Sequence, residues 1–226
     1  IQDSIMSISQ DQRIQLLLIG FVFNAFLEGA AGFGVPIAIC AVLLTQLGFK
    51  PLEAAMYCLV GNAAAGAYGA VGIPVAIIDT LNLSGDVSAT EVALIGNLTL
   101  GFISFFVPFL LIFMIDGFRG IKEILPSILV VSVTYTFLQV IITSFAGPEL
   151  ADIIPGLAAM VALALFSSKF QPKNIFRLQQ NEEPKRVAKH SFKDIVYAWS
   201  PFIILTVIVL IWSSSFFKGL FEKKGL

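Results

Sequence analysis

The stretch "FLEGAAGFGVP", residues 26–36, sets a carboxylate and three glycines inside a long apolar run. That run, residues 14–47, would measure about 51 Å as one straight helix, too long for a hydrocarbon core of about 30 Å. Split at "GAAGFG", it becomes two arms, residues 14–27 and 35–47, of roughly 20 Å each at helical rise. Neither arm is expected to cross a bilayer alone. A re-entrant helical hairpin over 14–47 is therefore predicted, with its glycine tip at mid-membrane depth.

The rest of the chain supports a membrane setting. It is 57% hydrophobic and 13% charged, with a mean hydropathy of +0.90, where a soluble domain is about a quarter charged. A net charge of -1 leaves no basic footprint for nucleic acid. There is one histidine, and no phosphate-binding GKS/GKT loop or Ser/His/Asp set, so neither an enzyme nor a metal or cofactor site is expected. "GAAGFG" with Glu53 downstream fails as a dinucleotide fingerprint, because no βαβ pattern surrounds it. Cys40 and Cys58 lie in apolar segments and read as small hydrophobes. The chain starts at Ile1 and stops just after an apolar span, so it reads as an internal fragment whose remainder is a partner of this part.

Four later segments, 92–115, 124–145, 153–168 and 200–217, approach the twenty or so apolar residues of a spanning helix. Lys and Arg number two in the connection 116–123 and seven in 169–199, but none in 80–91 or 146–152. The positive-inside rule places the first pair, including the basic loop 169–199, in the cytoplasm. Traced back, parity puts the hairpin's ends, flanked by Arg13 and Lys50, on the same side. Lys218, Lys223 and Lys224 break the alternation. Residues 54–79 have the length of one crossing but carry "GNAAAGAYGAVGIP", and a discontinuous helix is predicted there. Irregular backbone at membrane depth is tolerated only against protein or a watery cavity, so the two interruptions are expected to share one site.

A helix starting near Val35 and Pro36 would offer its unpaired amides and positive dipole end to a small anion. Gly29, Gly32, Phe33, Gly34 and Val35 are the tip residues expected to approach such a ligand, the glycines because they lack a Cβ. Asn62 and Tyr68 either contact the ligand or satisfy the broken helix. Gly66, Gly69 and Gly72 either pack helices or admit a ligand. Glu28 is costly at depth unless paired, hydrated or protonated. It either couples a proton to the anion, whose binding a protonated Glu28 would not oppose, or pairs with a cation on a segment outside this chain. Asp79, Asp116 with Arg119, and His190 read as solvated charge.

"FLEGAAGFGVPIAI" (26–39), "LGFKPLEAA" (47–55), "GNAAAGAYGAVGIP" (61–74), "DGFRGIKE" (116–123) and "GPELADII" (147–154) resemble the bacterial L-lactate permease family in order and spacing. The resemblance covers about residues 21–176 and implies an inner-membrane, multi-pass symporter of lactate, often glycolate, with protons, from a longer chain. The pattern departs at 62–69, where Ala63, Ala65 and Tyr68 replace the family's Thr, Pro and Phe. The expected fold is an all-α polytopic membrane protein: hairpin, discontinuous helix and four further transmembrane helices. By analogy it forms one part of an inverted-repeat, elevator-like carrier. A sodium-coupled organic anion carrier and a non-transporting receptor or scaffold module are the alternatives.

Overall fold

The computed structural model describes residues 2–81, 87–178, 192–213 and 217. Among these there are helices and no strands. A short α1 (Gln2–Ile8) precedes α2 (Gln12–Ala30), whose first residues are capped by Asp11, which accepts the Arg13 N–H at 2.9 Å. Every residue of α2 is buried, the polar Gln12, Arg13, Gln15, Asn24 and Glu28 included. Its middle, Leu17–Phe23, is wound as wider π-helical turns. There the Asn24 amide donates to the carbonyls of Gly20 (3.2 Å) and, on a neighbouring helix, Cys58 (2.8 Å).

α2 is longer than the first arm read from the sequence. Gln12–Ala30 is long and apolar enough to cross a membrane, because the polar Gln12 and Arg13 continue the helix below and Gly29–Ala30 continue it above. The helix breaks at residues 31–34, where Gly32, Phe33 and Gly34 all have positive φ, and α3 (Val35–Gln46) returns alongside α2. Gln12 Nε2 donates to the Leu47 carbonyl at 2.8 Å, which closes the two arms at a common end.

α4 (Pro51–Asn62) is followed by an irregular turn, a 3-10 turn at Gly66–Tyr68 and α5 (Gly69–Ala76), then a 3-10 turn at Ile77–Thr80. The segment is bent by 69° and contains three successive left-handed residues, Ala70, Val71 and Gly72. Gly61 lets α4 cross α2 at the Gly20 carbonyl, where a Cβ would clash with that oxygen.

α6 (Ala89–Ala146) has 58 residues, about 87 Å if straight. It is not straight: Ser104 Oγ donates to Gln139 Oε1 at 2.8 Å, so its halves run antiparallel. The reversal uses non-helical Gly117 and Ile124, just before Pro126, whose ring and missing N–H disrupt a helix. The expected irregular loop at 116–123 is thus helical between two breaks. A 3-10 turn, Pro148–Leu150, leads to α7 (Ile153–Lys169).

α8 (Phe192–Ser213), described by itself, contains Pro201 and starts within what was read as loop. Asp86, His190, Lys218, Lys223 and Lys224 lie outside the described residues. Among those described, three helices are long and apolar enough to cross a membrane, or four if the bent segment is one span. With apolar side chains such as Leu98, Phe102, Phe137 and Leu165 exposed on α6 and α7, this is an integral membrane protein.

Candidate functional site

The two interruptions touch. A Cβ on Gly32 would stand 2.8 Å from both the amide nitrogen and the Cβ of Ala70, so the hairpin tip rests on the left-handed break of α5. Gly72 in that break is pressed against Pro148, 2.7 Å from its carbonyl oxygen by the same measure. The packed spaces at Gly29, Gly32 and Gly72 redefine the role of these glycines. At Gly29 the room for a Cβ is taken by Asp152 Cβ and Ile153, at 2.8 and 3.0 Å. Gly29 and Gly32 therefore serve close helix packing, not ligand approach as read from sequence.

The open part of the tip is narrower than expected. The Gly32 and Val35 amides already donate, to the carbonyls of Leu27 (3.4 Å) and Gly32 (3.2 Å). Those of Phe33 and Gly34 donate to no backbone carbonyl, and nothing stands within 4 Å of a Cβ on Gly34. Phe33 is 85% exposed and Val35 is exposed beside it. The accessible amides of the tip are thus those of Phe33 and Gly34, ahead of the first turn of α3.

Glu28, one turn before the break, is 6% exposed. Its side chain hydrogen-bonds with that of half-buried Asn62 at the end of α4. Its Oε2 has no partner, nor has Asn62 Oδ1. Gly69, at the start of α5, lies directly against the Glu28 carboxylate. Glu28, Asn62 and the second interruption are thereby brought together.

Tyr68 is not part of this group. Its ring is buried in a small core with Val75, Ala89, Ala93 and Ala151, and its hydroxyl sits 3.0 Å from the Ala93 carbonyl and 2.9 Å from Asn97 Oδ1. A phenol has one proton to donate, and here it is spent on α6. Expected ligand contact is replaced by a strut between the broken helix and α6.

Sequence reading missed Asp152, placing it in the polar connection 146–152. It is 1% exposed, and its Oδ1 accepts from Tyr135 Oη at 2.8 Å and Gln139 Nε2 at 2.9 Å, while Oδ2 has no partner. Gln139 in turn accepts from Ser104, so one polar ladder joins both halves of α6 to the start of α7. The available signal was the spacing of Tyr135 and Gln139, one helical turn apart in an apolar span.

A second buried cluster lies at the other end of α2. Arg13 is fully buried and donates to Asp11 (2.8 Å), Asp116 (2.7 Å), Glu123 (2.8 Å) and the Asn174 carbonyl (3.0 Å), with Phe176 stacked 5.3 Å away. Asp116, read as solvated, is an ion-pair partner here; Arg119 is exposed and pairs with Glu123 at 3.0 Å. Asp79 accepts the Ala89 N–H at 2.7 Å and so fixes the start of α6. Cys40 and Cys58 are buried free thiols.

Buried carboxyls, each with one oxygen unpartnered, beside a doubly broken helical core give this membrane protein a polar interior. The model of the L-lactate permease family matches residues 1–226, and the chain belongs to that family. It is 60% identical over 225 residues to the L-lactate permease of Halalkalibacterium halodurans, covering 100% of this chain and 43% of the relative. It is 43% identical to the glycolate permease GlcA of Escherichia coli K12 and 42% identical to the L-lactate permease of the same strain, covering 100% of this chain and 42% and 41% of those proteins. The chain therefore spans less than half the length of these relatives. They are permeases, not enzymes. No solved structure matches the chain.

Proposed function

We propose that the chain is the part of a secondary active transporter that carries lactate, glycolate or a related 2-hydroxy monocarboxylate together with a proton across the cell membrane. The observation that carries the reading is Glu28: a buried carboxyl with one oxygen unpartnered, on the helix that ends in the open amides of Phe33 and Gly34. Those amides and the positive end of α3 hold the substrate carboxylate. Glu28 takes up a proton from the side the site faces, which removes the charge that would repel the anion, and Asn62 steadies it. Anion and proton thus favour each other's binding, the linkage a symporter needs.

Arg13 donates to Asp116 and Glu123 at the α6 reversal and to the Asn174 carbonyl, and Gln12 accepts the Leu178 N–H; these contacts with the basic connections support a cytoplasmic position for this end of the hairpin by the positive-inside rule. The names of the lactate and glycolate permease relatives support the substrate class. The remainder of the full-length protein supplies a second, inverted hairpin and broken helix in an elevator-like arrangement.

Full-length protein in vesicles, given a proton or a sodium gradient separately, tests the mechanism. Lactate accumulation should follow the proton gradient; accumulation driven by sodium alone would replace the coupling ion, and no lactate binding at all would leave a scaffold.

A further inference from the structure

We propose that the cavity beside Arg13 is a phosphate site, which takes the headgroup phosphate of an anionic phospholipid of the cytoplasmic leaflet or, by the same chemistry, free phosphate. The proposal rests on the cytoplasmic position read for this end of the hairpin, and on neither the transported substrate nor its coupling ion.

The cavity has a volume of about 240 Å³ and is lined by Arg13, Asp116, Arg119, Glu123 and residues 174–177. Its walls come from the ends of spans: Arg13 lies in the first turn of α2, residues 116–123 form the α6 reversal, and residues 174–177 follow α7. Phospholipid headgroups occupy that level of a bilayer.

Three guanidinium groups and two carboxylates line the cavity, which leaves one positive charge in excess along its wall. The charges are not equivalent. Arg13 is buried and held by Asp11, Asp116 and Glu123, and the Phe176 ring stands 5.3 Å from it, so it forms the inner wall. Both carboxylates are turned onto guanidinium groups: Asp116 Oδ2 accepts from Arg13, and Glu123 accepts from Arg13 at Oε2 and from Arg119 at Oε1. Asp11, the third carboxylate on Arg13, does not line the cavity; its Oδ2 also accepts the Phe176 N–H at 2.9 Å. Arg119 is 73% exposed, and among the described residues its one partner is Glu123, through Nε. Both terminal nitrogens of its fork are left to solvent or a ligand. Arg177, half-buried on the segment after α7, is positioned by Gln10, to whose Oε1 its Nη2 donates at 2.7 Å.

Arginine forks on two separate segments suit a phosphate, whose oxygens accept paired N–H bonds from a guanidinium group. The sequence around the cavity adds to the attraction: residues 169–199 carry seven Lys and Arg against Glu182, Glu183 and Asp194. Basic stretches of this kind are drawn to the anionic cytoplasmic leaflet. Apolar surface favours a lipid as the source. Ile175 in the cavity wall is exposed, and so is Phe118, the sequence neighbour of Arg119, whose ring packs on Phe113 at 4.9 Å. Acyl chains cover such surface, and a free phosphate does not. A bound phosphate joins Arg119 on the α6 reversal to Arg177 after α7, the two connections that Arg13 already ties to α2, so the ligand tightens one clasp.

The test measures the melting temperature of purified full-length protein in a neutral detergent. Added dioleoylphosphatidylglycerol should raise it on the order of 4 °C, and dioleoylphosphatidylcholine should not. A double variant, Arg119→Gln with Arg177→Gln, should melt close to wild type in phosphatidylcholine and lose most of the phosphatidylglycerol rise. Inorganic phosphate at constant ionic strength separates the sources: a matching rise, lost in the same variant, makes free phosphate the ligand, and no rise assigns the site to the lipid. Equal rises with both lipids, a phosphatidylglycerol rise that survives the double variant, or no rise with either phosphatidylglycerol or phosphate overturns the proposal. Should the double variant not fold, Arg119→Gln decides it alone, because that side chain is exposed: a clearly smaller rise supports the site, and an undiminished one overturns it. No ion gradient enters this measurement, so failure of the symport reading leaves its outcome unchanged.

Discussion

α2 carries a buried charge near each end, and the two are treated in opposite ways. Arg13 at its start has every direction of its guanidinium filled, by Asp11, Asp116, Glu123 and a carbonyl, and in doing so ties the hairpin to the α6 reversal and to the segment after α7. Glu28 near its end has one amide partner and a bare oxygen. Both are removed from water, so the difference lies in compensation. A charge with all its partners in place is a clasp, whereas a charge left half matched is available for a proton.

Removing a member of a fully paired buried cluster strands the others. Arg13→Gln leaves the buried Asp11 without its cation and should cost about 3–5 kcal/mol, read as a large loss of thermal stability in the purified full-length protein. An unchanged melting temperature would break the contrast at its stronger end. Midway along α2, Gly61→Ala drives a methyl group into the Gly20 carbonyl and should cost about 1–3 kcal/mol by the same measurement. At the tip, Gly34→Ala meets no neighbour but must hold φ at 82°, so about 1 kcal/mol is expected. Because Gly34 also offers a free amide, the KM for lactate should rise in the same variant, and an unaltered KM would move the anion site elsewhere. The smallest stability effect is expected at Glu28→Gln, within about 1 kcal/mol of wild type, since neutralising a half-matched carboxyl relieves as much as it removes. A loss as large as that of Arg13→Gln would show Glu28 to be a structural ion instead.

These contrasts also mark what could be read before the fold was known. Glu28 and the glycines around it stood out because hydropathy makes a carboxylate in an apolar run conspicuous. Asp152 did not stand out, since it follows Gly147 and Pro148 in a stretch with the composition of a connection. Tyr68 misled for a related reason: composition shows a hydroxyl near a helix break but not the Ala93 carbonyl and Asn97 that engage it. Arg13 and Asp116 read as flanking, solvated charges, because their meeting joins residues from different helices.

By itself, the sequence determined that the chain is a helical membrane protein, that its helices break at "GAAGFG", residues 29–34, and again within residues 61–74, and that Glu28 lies at the first break. Those properties follow from local chemistry: apolar length, glycine density and the cost of charge in hydrocarbon. The tertiary structure alone decided which of these residues are enclosed and by what. Gly29 and Gly156 let α2 and α7 cross closely enough to set Asp152 against Gly29, and the folding back of α6 sets Tyr135, Gln139 and Ser104 in line behind it. Partnership of this kind depends on how helices pack across long stretches of sequence, and no local pattern encodes it.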